Sequence, residues 1–318
     1  MRNQVIWIWI LLACQLGVVG CTGGSKAVVF PDVAFVSADE AWIASRKVGF
    51  VRLFADGSFE KVTEPPERID ILSPSDGQVF FSAWKKQTNN RQRWMDSDSF
   101  DSRLSPTSIS FADDNVGWIR TLMPLFLTED GGKTWNQILA TEPGEMTKSL
   151  AADKDTAYLY GARGKILQTK DRGRTWKSRD LGNSQDILAF ECRDGHPDNC
   201  WVGTGRGNVF VTSGNGPFEQ VQLPGLASDI SVSSIFLTGE NSVLVAGYSV
   251  GDGPRFGVLF ATDDNGLTWR SVDVPVGHMI RVAAFGETIW LASHSAVYRS
   301  TNKGKTWVEL LLLPSVFE

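Results

Sequence analysis

The sequence predicts an all-β protein: a seven-bladed β-propeller with four-stranded antiparallel blades. Three observations predict it. A turn motif, Ser/Thr-x-Asp-x-Gly-x-Thr-Trp, recurs through the chain. A second register of large apolar residues recurs with the same spacing, roughly 40 residues. The composition suits short strands and tight turns, with 12 Trp, 18 Phe and 31 Gly among 318 residues.

The motif has four gapless copies: Thr128 to Trp135, Thr169 to Trp176, Thr262 to Trp269, and Ser300 to Trp307, where Asn302 replaces Asp. Three weaker copies, Asp56 to Phe59, Asp96 to Phe100 and Ser213 to Phe218, fill the intervals. The closing aromatics Phe59, Phe100, Trp135, Trp176, Phe218, Trp269 and Trp307 are separated by 41, 35, 41, 42, 51 and 38 residues. The second register runs Trp42, Phe80, Trp118, Tyr158, Trp201, Leu244 and Trp290, at spacings of 38, 38, 40, 43, 43 and 46. These place the blades near 28–68, 69–104, 105–146, 147–186, 187–229, 230–279 and 280–318. A unit of this size cannot bury a core alone, so the units must stack. Alternation in Ser108–Phe111 and Val282–Phe285 marks inner strands.

The motif explains itself as a folding device. The carboxylates of Asp130, Asp171 and Asp264, and the Asn302 amide, can accept backbone N–H bonds across their own turn. Gly supplies a positive φ. The following Thr favours a strand, and Trp135, Trp176, Trp269 and Trp307 can bury their rings between blades. Copies spaced around a ring cannot converge on one substrate, so these Asp residues are not read as catalytic.

The motif resembles the Asp-box, or bacterial neuraminidase, repeat. The stretch Phe111-Ala112-Asp113-Asp114-Asn115-Val116-Gly117-Trp118, leading into the box at Thr128, looks most like the photosystem II stability and assembly factor family. That resemblance implies a non-enzymatic seven-bladed propeller binding a membrane-protein client in an extracytoplasmic space. The role class carries over; the photosystem does not.

The N-terminus reads as an export signal. Met1-Arg2-Asn3 is followed by an apolar run from Val5 to Ala13, too short for a spanning helix. Val18-Val19-Gly20-Cys21 resembles a bacterial lipoprotein box, which implies cleavage after residue 20 and acylation of Cys21. Residues 21–27 become a tether and residues 28–318 the propeller. An ordinary secretory signal is the alternative, and Leu12-Ala13-Cys14 offers a shorter box. The expected location is extracytoplasmic and membrane-anchored, on the periplasmic side or the cell surface. Thr22 after Cys21 lacks the Asp that commonly retains lipoproteins at the inner membrane, which makes an outer membrane plausible where the host has one. In an exported chain, Cys192 and Cys200 are expected to form a disulfide across an A–B hairpin loop; their spacing matches no familiar zinc pattern.

A net charge of -5 argues against nonspecific nucleic-acid binding. No Gly-x-Ser-x-Gly, P-loop or His-Glu-x-x-His motif is present, and no metal, cofactor or catalytic residue is assigned. The same box occurs in sialidases and other glycosidases. The Phe/Tyr-Arg-Ile-Pro segment that usually opens a sialidase domain is missing, although carboxylates such as Asp252 and Glu287 remain available for a hydrolytic pair. A glycan-binding propeller or hydrolase is therefore the second reading.

With strands lettered A to D from the ring centre outward, the boxes occupy C–D turns. The A–B turns share that face, and the B–C and D–A loops form the other. The B–C loops carry Arg46 with Lys47, then Lys85, Lys86, Arg91 and Arg93, then Arg120, Arg163 with Lys165, Arg206 and Arg255; blade 7 offers His294. The long loops Lys85–Arg93 and Ser249–Gly257 stand above this rim, with Trp84, Trp94, Met123, Pro124 and Phe256 adding apolar groups. Arginine forks hold carboxylates bidentately, and such a rim would steer an acidic partner. The expectation is a binding scaffold, monomeric apart from its client, that captures a membrane or envelope protein with an acidic surface.

Overall fold

A computed structural model describes residues 32–35, 37–45, 49–62, 73–75, 78–80, 84–87, 90–93, 106–113, 115–121, 123–141, 145–225, 229–251, 256–275, 277–293 and 295–312, with the side chains of 44–50 and 62–107 outside that description. The chain is a β-propeller. Six four-stranded antiparallel sheets each use four consecutive strands. The first blade holds β1 (Asp32–Phe35), β2 (Glu40–Ser45), β3 (Gly49–Phe54) and β4 (Phe59–Val62). The third holds β9 (Pro106–Phe111), β10 (Gly117–Thr121), β11 (Pro124–Thr128) and β12 (Asn136–Ala140). The fourth holds β13 (Met146–Ala151), β14 (Ala157–Gly161), β15 (Lys165–Thr169) and β16 (Lys177–Asp180). The fifth holds β17 (Ile187–Arg193), β18 (His196–Thr204), β19 (Val209–Thr212) and β20 (Glu219–Val221). The sixth holds β21 (Ile230–Thr238), β22 (Ser242–Ser249), β23 (Gly257–Thr262) and β24 (Arg270–Val272). The seventh holds β25 (Met279–Phe285), β26 (Thr288–Ser293), β27 (Ala296–Ser300) and β28 (Val308–Leu312).

Between blades 1 and 3 lie two hairpins. One pairs β5 (Ser73–Ser75) with β6 (Gln78–Phe80), and the other pairs β7 (Trp84–Gln87) with β8 (Asn90–Arg93). Strand β5 packs against both β1 and β9. It therefore sits in the ring of inner strands where the sequence period places the second blade. Most of the expected long loop Lys85–Arg93 is paired instead, as strands β7 and β8.

The second sequence register marks the B strands. Trp118, Trp201, Trp290 and Tyr158 are fully buried, each presented by a B strand to the seam with a neighbouring blade. Each seam alternates aromatic and aliphatic groups from two sheets. One cluster joins Tyr158, Tyr160 and Ile166 of blade 4 to Ile187, Phe190 and Phe210 of blade 5. Another joins Trp201 and Val209 to Val232, Val245 and Phe260 of blade 6. Fully burying one such side chain is worth roughly 1.5–3 kcal/mol, so the seams supply the ring's cohesion.

Among the described strands, none is shared between the first and last blades. The ring closes through side chains. Phe35 stacks on Trp290 with centroids 5.6 Å apart. The Trp290 indole and the Arg299 Nε both donate to the Ala38 carbonyl, at 3.2 and 3.0 Å. Arg299 also pairs with Asp39 at 3.4 Å.

Candidate functional site: the B–C face

The boxes fold alike, and their chemistry is turned inward. In blade 3 the Asp130 carboxylate accepts the Thr134 N–H at 2.9 Å, the Thr134 hydroxyl at 2.6 Å and the Thr128 hydroxyl at 2.8 Å. The Trp135 indole donates to the Gly132 carbonyl at 3.1 Å. Asp171 with Trp176, and Asp264 with Trp269, repeat this set. Asn302 reproduces it with an amide: Oδ1 accepts the Thr306 N–H and Nδ2 donates to the Thr306 hydroxyl. Trp307 departs from the pattern and donates across the seam to the Asp273 carbonyl. These bonds, led by those from Thr134 and Thr268, hold Asp130 and Asp264 down to about 2. The box glycine is obligatory twice over. Gly173 has φ of 83°, and a Cβ there would lie 2.4 Å from Ile138 of the preceding blade.

Three arginines on the box face are engaged across blades. Arg172 holds Glu129 of blade 3 at 2.8 Å and Asp155 at 2.7 Å. Arg179 reaches into the weak box of blade 5, bonding Thr212 and the Gly216 carbonyl and covering the Phe218 ring. Buried Arg193 extends from blade 5 to the Gly239 carbonyl and Asn265 of blade 6. The Cys192–Cys200 disulfide lies beside it, tying β17 to β18. The expected loop between these cysteines is a hairpin whose turn is confined to Asp194-Gly195. Sequence reasoning missed one regularity. Each A–B turn of the six described blades carries an acid: Asp39, Asp113, Asp153, Asp194, Glu240 and Glu287. The signal was legible, because an acid recurs within four residues of the end of each of these inner strands.

The opposite face differs. Arg163 occupies a short 3-10 turn, Ala162–Gly164, between β14 and β15, with φ of 57°. Arg206 occupies the turn between β18 and β19. Both side chains are exposed and have no partner among the described residues. One D–A residue fixes both turns: the Asp186 carboxylate accepts the Arg163 N–H at 3.1 Å, and its carbonyl accepts the Gly205 N–H at 3.0 Å. Two guanidiniums thus project from adjacent blades on pinned backbone. The neighbouring Lys165 is neutralised by Glu145 at 2.6 Å.

Arg120 requires a correction, because it is not on the rim. It lies within β10 and is fully buried. Its guanidinium donates to the carbonyls of Met146, at 2.6 Å, and Met123, and to the Thr141 hydroxyl at 2.5 Å. Burial lowers its pKa to about 10. It secures the D–A connection instead of facing a partner. Arg46 and Arg255 fall outside the described residues, as do Lys47 and His294. Lys85, Lys86, Arg91 and Arg93 lie in the β7–β8 hairpin, with side chains outside the description. Cys21 and the export segment also fall outside it.

Around the arginine pair the face is apolar in places. Met123, Val250 and Phe256 are about half exposed. Tyr248 stacks on His278 with centroids 3.7 Å apart. The tyrosines available to a hydrolase are otherwise engaged. Tyr158 donates to the Pro197 carbonyl at 2.9 Å, Tyr160 is buried against Phe190, and Tyr298 donates to Glu309 at 2.8 Å. Glu287 sits at the A–B turn of blade 7, and Asp252 lies outside the described residues. Among the described residues no group of His, Cys, Asp and Glu is arranged to hold a metal ion. A cleft of about 80 Å³, lined by Ala55, Arg299 and Val308 among others, marks the ring closure and has room for only a few waters.

Comparisons with known proteins agree with this architecture. The family model described as photosynthesis system II assembly factor YCF48 matches residues 70–216. A solved structure of YCF48 bound to a D1 peptide superposes with a TM-score of 0.52 at 16% identity, over 89% of this chain and 81% of that one. YCF48 from Cyanidioschyzon merolae gives 0.53 at 18% identity, over 93% and 88%. The GH74 enzyme of Niastella koreensis gives 0.57 at 13% identity, over 92% of this chain but 46% of that one. At these identities the likeness is one of fold. A 93-residue match to the vacuolar protein sorting/targeting protein 10 of Aspergillus fumigatus, 34% identical, covers 27% of this chain and 6% of the fungal protein. The chain is an Asp-box propeller resembling the photosystem II assembly factor family.

Proposed function

We propose that this protein is a membrane-anchored, non-enzymatic binding scaffold, an assembly factor for a membrane or envelope protein complex. It captures an acidic segment of its client on the B–C face. One observation carries the reading: Arg163 and Arg206 are exposed and unpaired among the described residues, on adjacent turns pinned by Asp186. Guanidiniums presented on rigid backbone lose little freedom on binding a carboxylate and can hold it bidentately. The likeness to YCF48, solved with a D1 peptide, supports a peptide-holding role for a propeller of this kind. A lipid anchor at Cys21 would raise the effective concentration of the scaffold near a membrane client.

Affinity capture from the native host tests the proposal. The tagged parent is compared with Arg163→Glu/Arg206→Glu and with Lys133→Glu/Arg174→Glu/Lys305→Glu, three exposed box-face cations. The parent and the box-face variant are expected to recover the same membrane complex, and the rim variant to lose it. Equal recovery by the rim variant would move the interface elsewhere. Recovery of polysaccharide without protein would favour the glycan-binding reading.

A further inference from the structure

We propose that the B–C face is the membrane-facing surface of this protein. It rests on the anionic headgroup layer of a bilayer through two apolar feet that flank the Arg163–Arg206 pair. The proposal rests on the reading of Cys21 as the acylated residue.

Strand direction is the first argument. Strand β1 is the inner strand of blade 1, and its last residue, Phe35, pairs with Ala41 beside the A–B turn. Its first residue, Asp32, therefore lies at the B–C end of the ring. Residues 22–31 separate Cys21 from it. Ten residues extend to about 35 Å at most. To lay the box face on the bilayer, that segment would have to cross a blade of four strands, about 15 Å, and then run down the length of the strands, about 20 Å. That path consumes the whole reach. Laying the B–C face down requires almost none of it.

Charge does not separate the faces: the box face exposes Lys133, Arg174 and Lys305 beside the acids of its A–B turns, and the B–C face exposes Arg163 and Arg206 beside Asp180, Asp229 and Asp273. Arg163 and Arg206 still offer the B–C face two cations for an anionic headgroup layer. Layout is the second argument. Met123 belongs to blade 3, whereas Val250 and Phe256 belong to the B–C loop of blade 6. Blades 4 and 5, which carry the arginines, lie between them. Partly exposed Met, Val and Phe at two separated points suit shallow insertion at the level of the headgroups. The box face exposes apolar groups too, Leu267 most of all at 87%. Exposure alone therefore does not choose the face; strand direction does. In this orientation the arginine pair sits where an extracytoplasmic segment of a membrane client leaves the bilayer.

Depth-dependent quenching tests the orientation. The full-length acylated protein is reconstituted in vesicles of neutral and anionic phospholipid. A thiol-linked fluorophore is placed at Met123→Cys, Phe256→Cys or Leu267→Cys, one per protein, and quencher lipids carry their label near the headgroup. Labels at 123 and 256 are expected to lose more than half their emission, and the label at 267 to be unaffected. Quenching at 267, or at none of the three while the protein floats with the vesicles, would overturn the proposal. Cys21→Ser is run beside them. If it floats as well as the parent, the anchor reading fails, and the labels still report which face meets the lipid.

Discussion

On the box face, Arg172, Arg179, Arg193 and Arg299 each reach a neighbouring blade, whereas on the B–C face Arg163 and Arg206 reach nothing among the described residues. The two faces belong to the same repeat, yet they use their arginines differently. Carboxylates and hydroxyls of the box are matched within the turn, and Arg172, Arg179, Arg193 and Arg299 around it are matched across the seams, while Lys133, Arg174 and Lys305 stay exposed. The regular chemistry builds the ring. The irregular face, where loops differ in length from blade to blade, is left to meet a partner.

The largest expected effect breaks the matched part of that comparison. Arg120→Met removes a buried guanidinium and the hydrogen bonds it gives to the Met146 and Met123 carbonyls and the Thr141 hydroxyl. It should cost about 3 kcal/mol in denaturant unfolding. A cost below about 0.5 kcal/mol would show that water replaces the guanidinium and would return Arg120 to the accessible rim. Next is the Cys192→Ala/Cys200→Ala pair. The bridged residues are 8 apart, so loop-closure entropy gives about 2–3 kcal/mol. The loss should appear in thermal unfolding and leave capture of the client by folded protein unchanged.

Two pH dependences of opposite sign sharpen the contrast. Asp130 and Asp264 have folded pKa values lowered to about 2, so their contribution to stability is present above the ordinary carboxylate range. It is lost as pH falls from about 4 through about 2. Asn302 shows that an amide fits the same turn. The double variant Asp130→Asn/Asp264→Asn should therefore fold, with a flatter acid limb in its thermal midpoint. Glu191, on the inner strand β17, is pushed the other way, up to about 8, chiefly by burial and against the pull of Arg281. For a carboxyl raised in the folded state, stability declines as pH rises from about 4.5 through about 8. Glu191→Gln should remove that decline; an unchanged profile would mean that the carboxyl is solvated.

The fold was legible in the sequence because box chemistry is local. Asp, Gly, Thr and Trp at fixed spacing close one turn without help from distant residues, and the period of their copies counts the blades. The candidate site was legible only in part. Arg120 and Arg163 both stand near B–C turns in the sequence, but Arg120 lies inside β10, opposite Ser108, whereas Arg163 lies past the end of β14 at a left-handed position. Strand ends decide between a buried clamp and an exposed one, and composition does not reveal where a strand ends. The role of Asp186 depends on two loops brought together by the ring, which no local pattern encodes. The acid recurring after each inner strand could have been read, since Asp113 and Asp153 both accept N–H groups in their own turns.

The smallest expected change in stability belongs to the central claim. Arg163→Glu/Arg206→Glu should alter unfolding by no more than about 0.5 kcal/mol, because neither side chain has a partner to lose among the described residues. The most direct measurement places a photo-crosslinking residue at Arg206 in one protein and at Leu267 in another, and illuminates both in the native host. The account predicts crosslinks to a membrane protein, through an acidic segment, from position 206 and none from position 267. Crosslinks from 267 alone would contradict it and assign recognition to the box face.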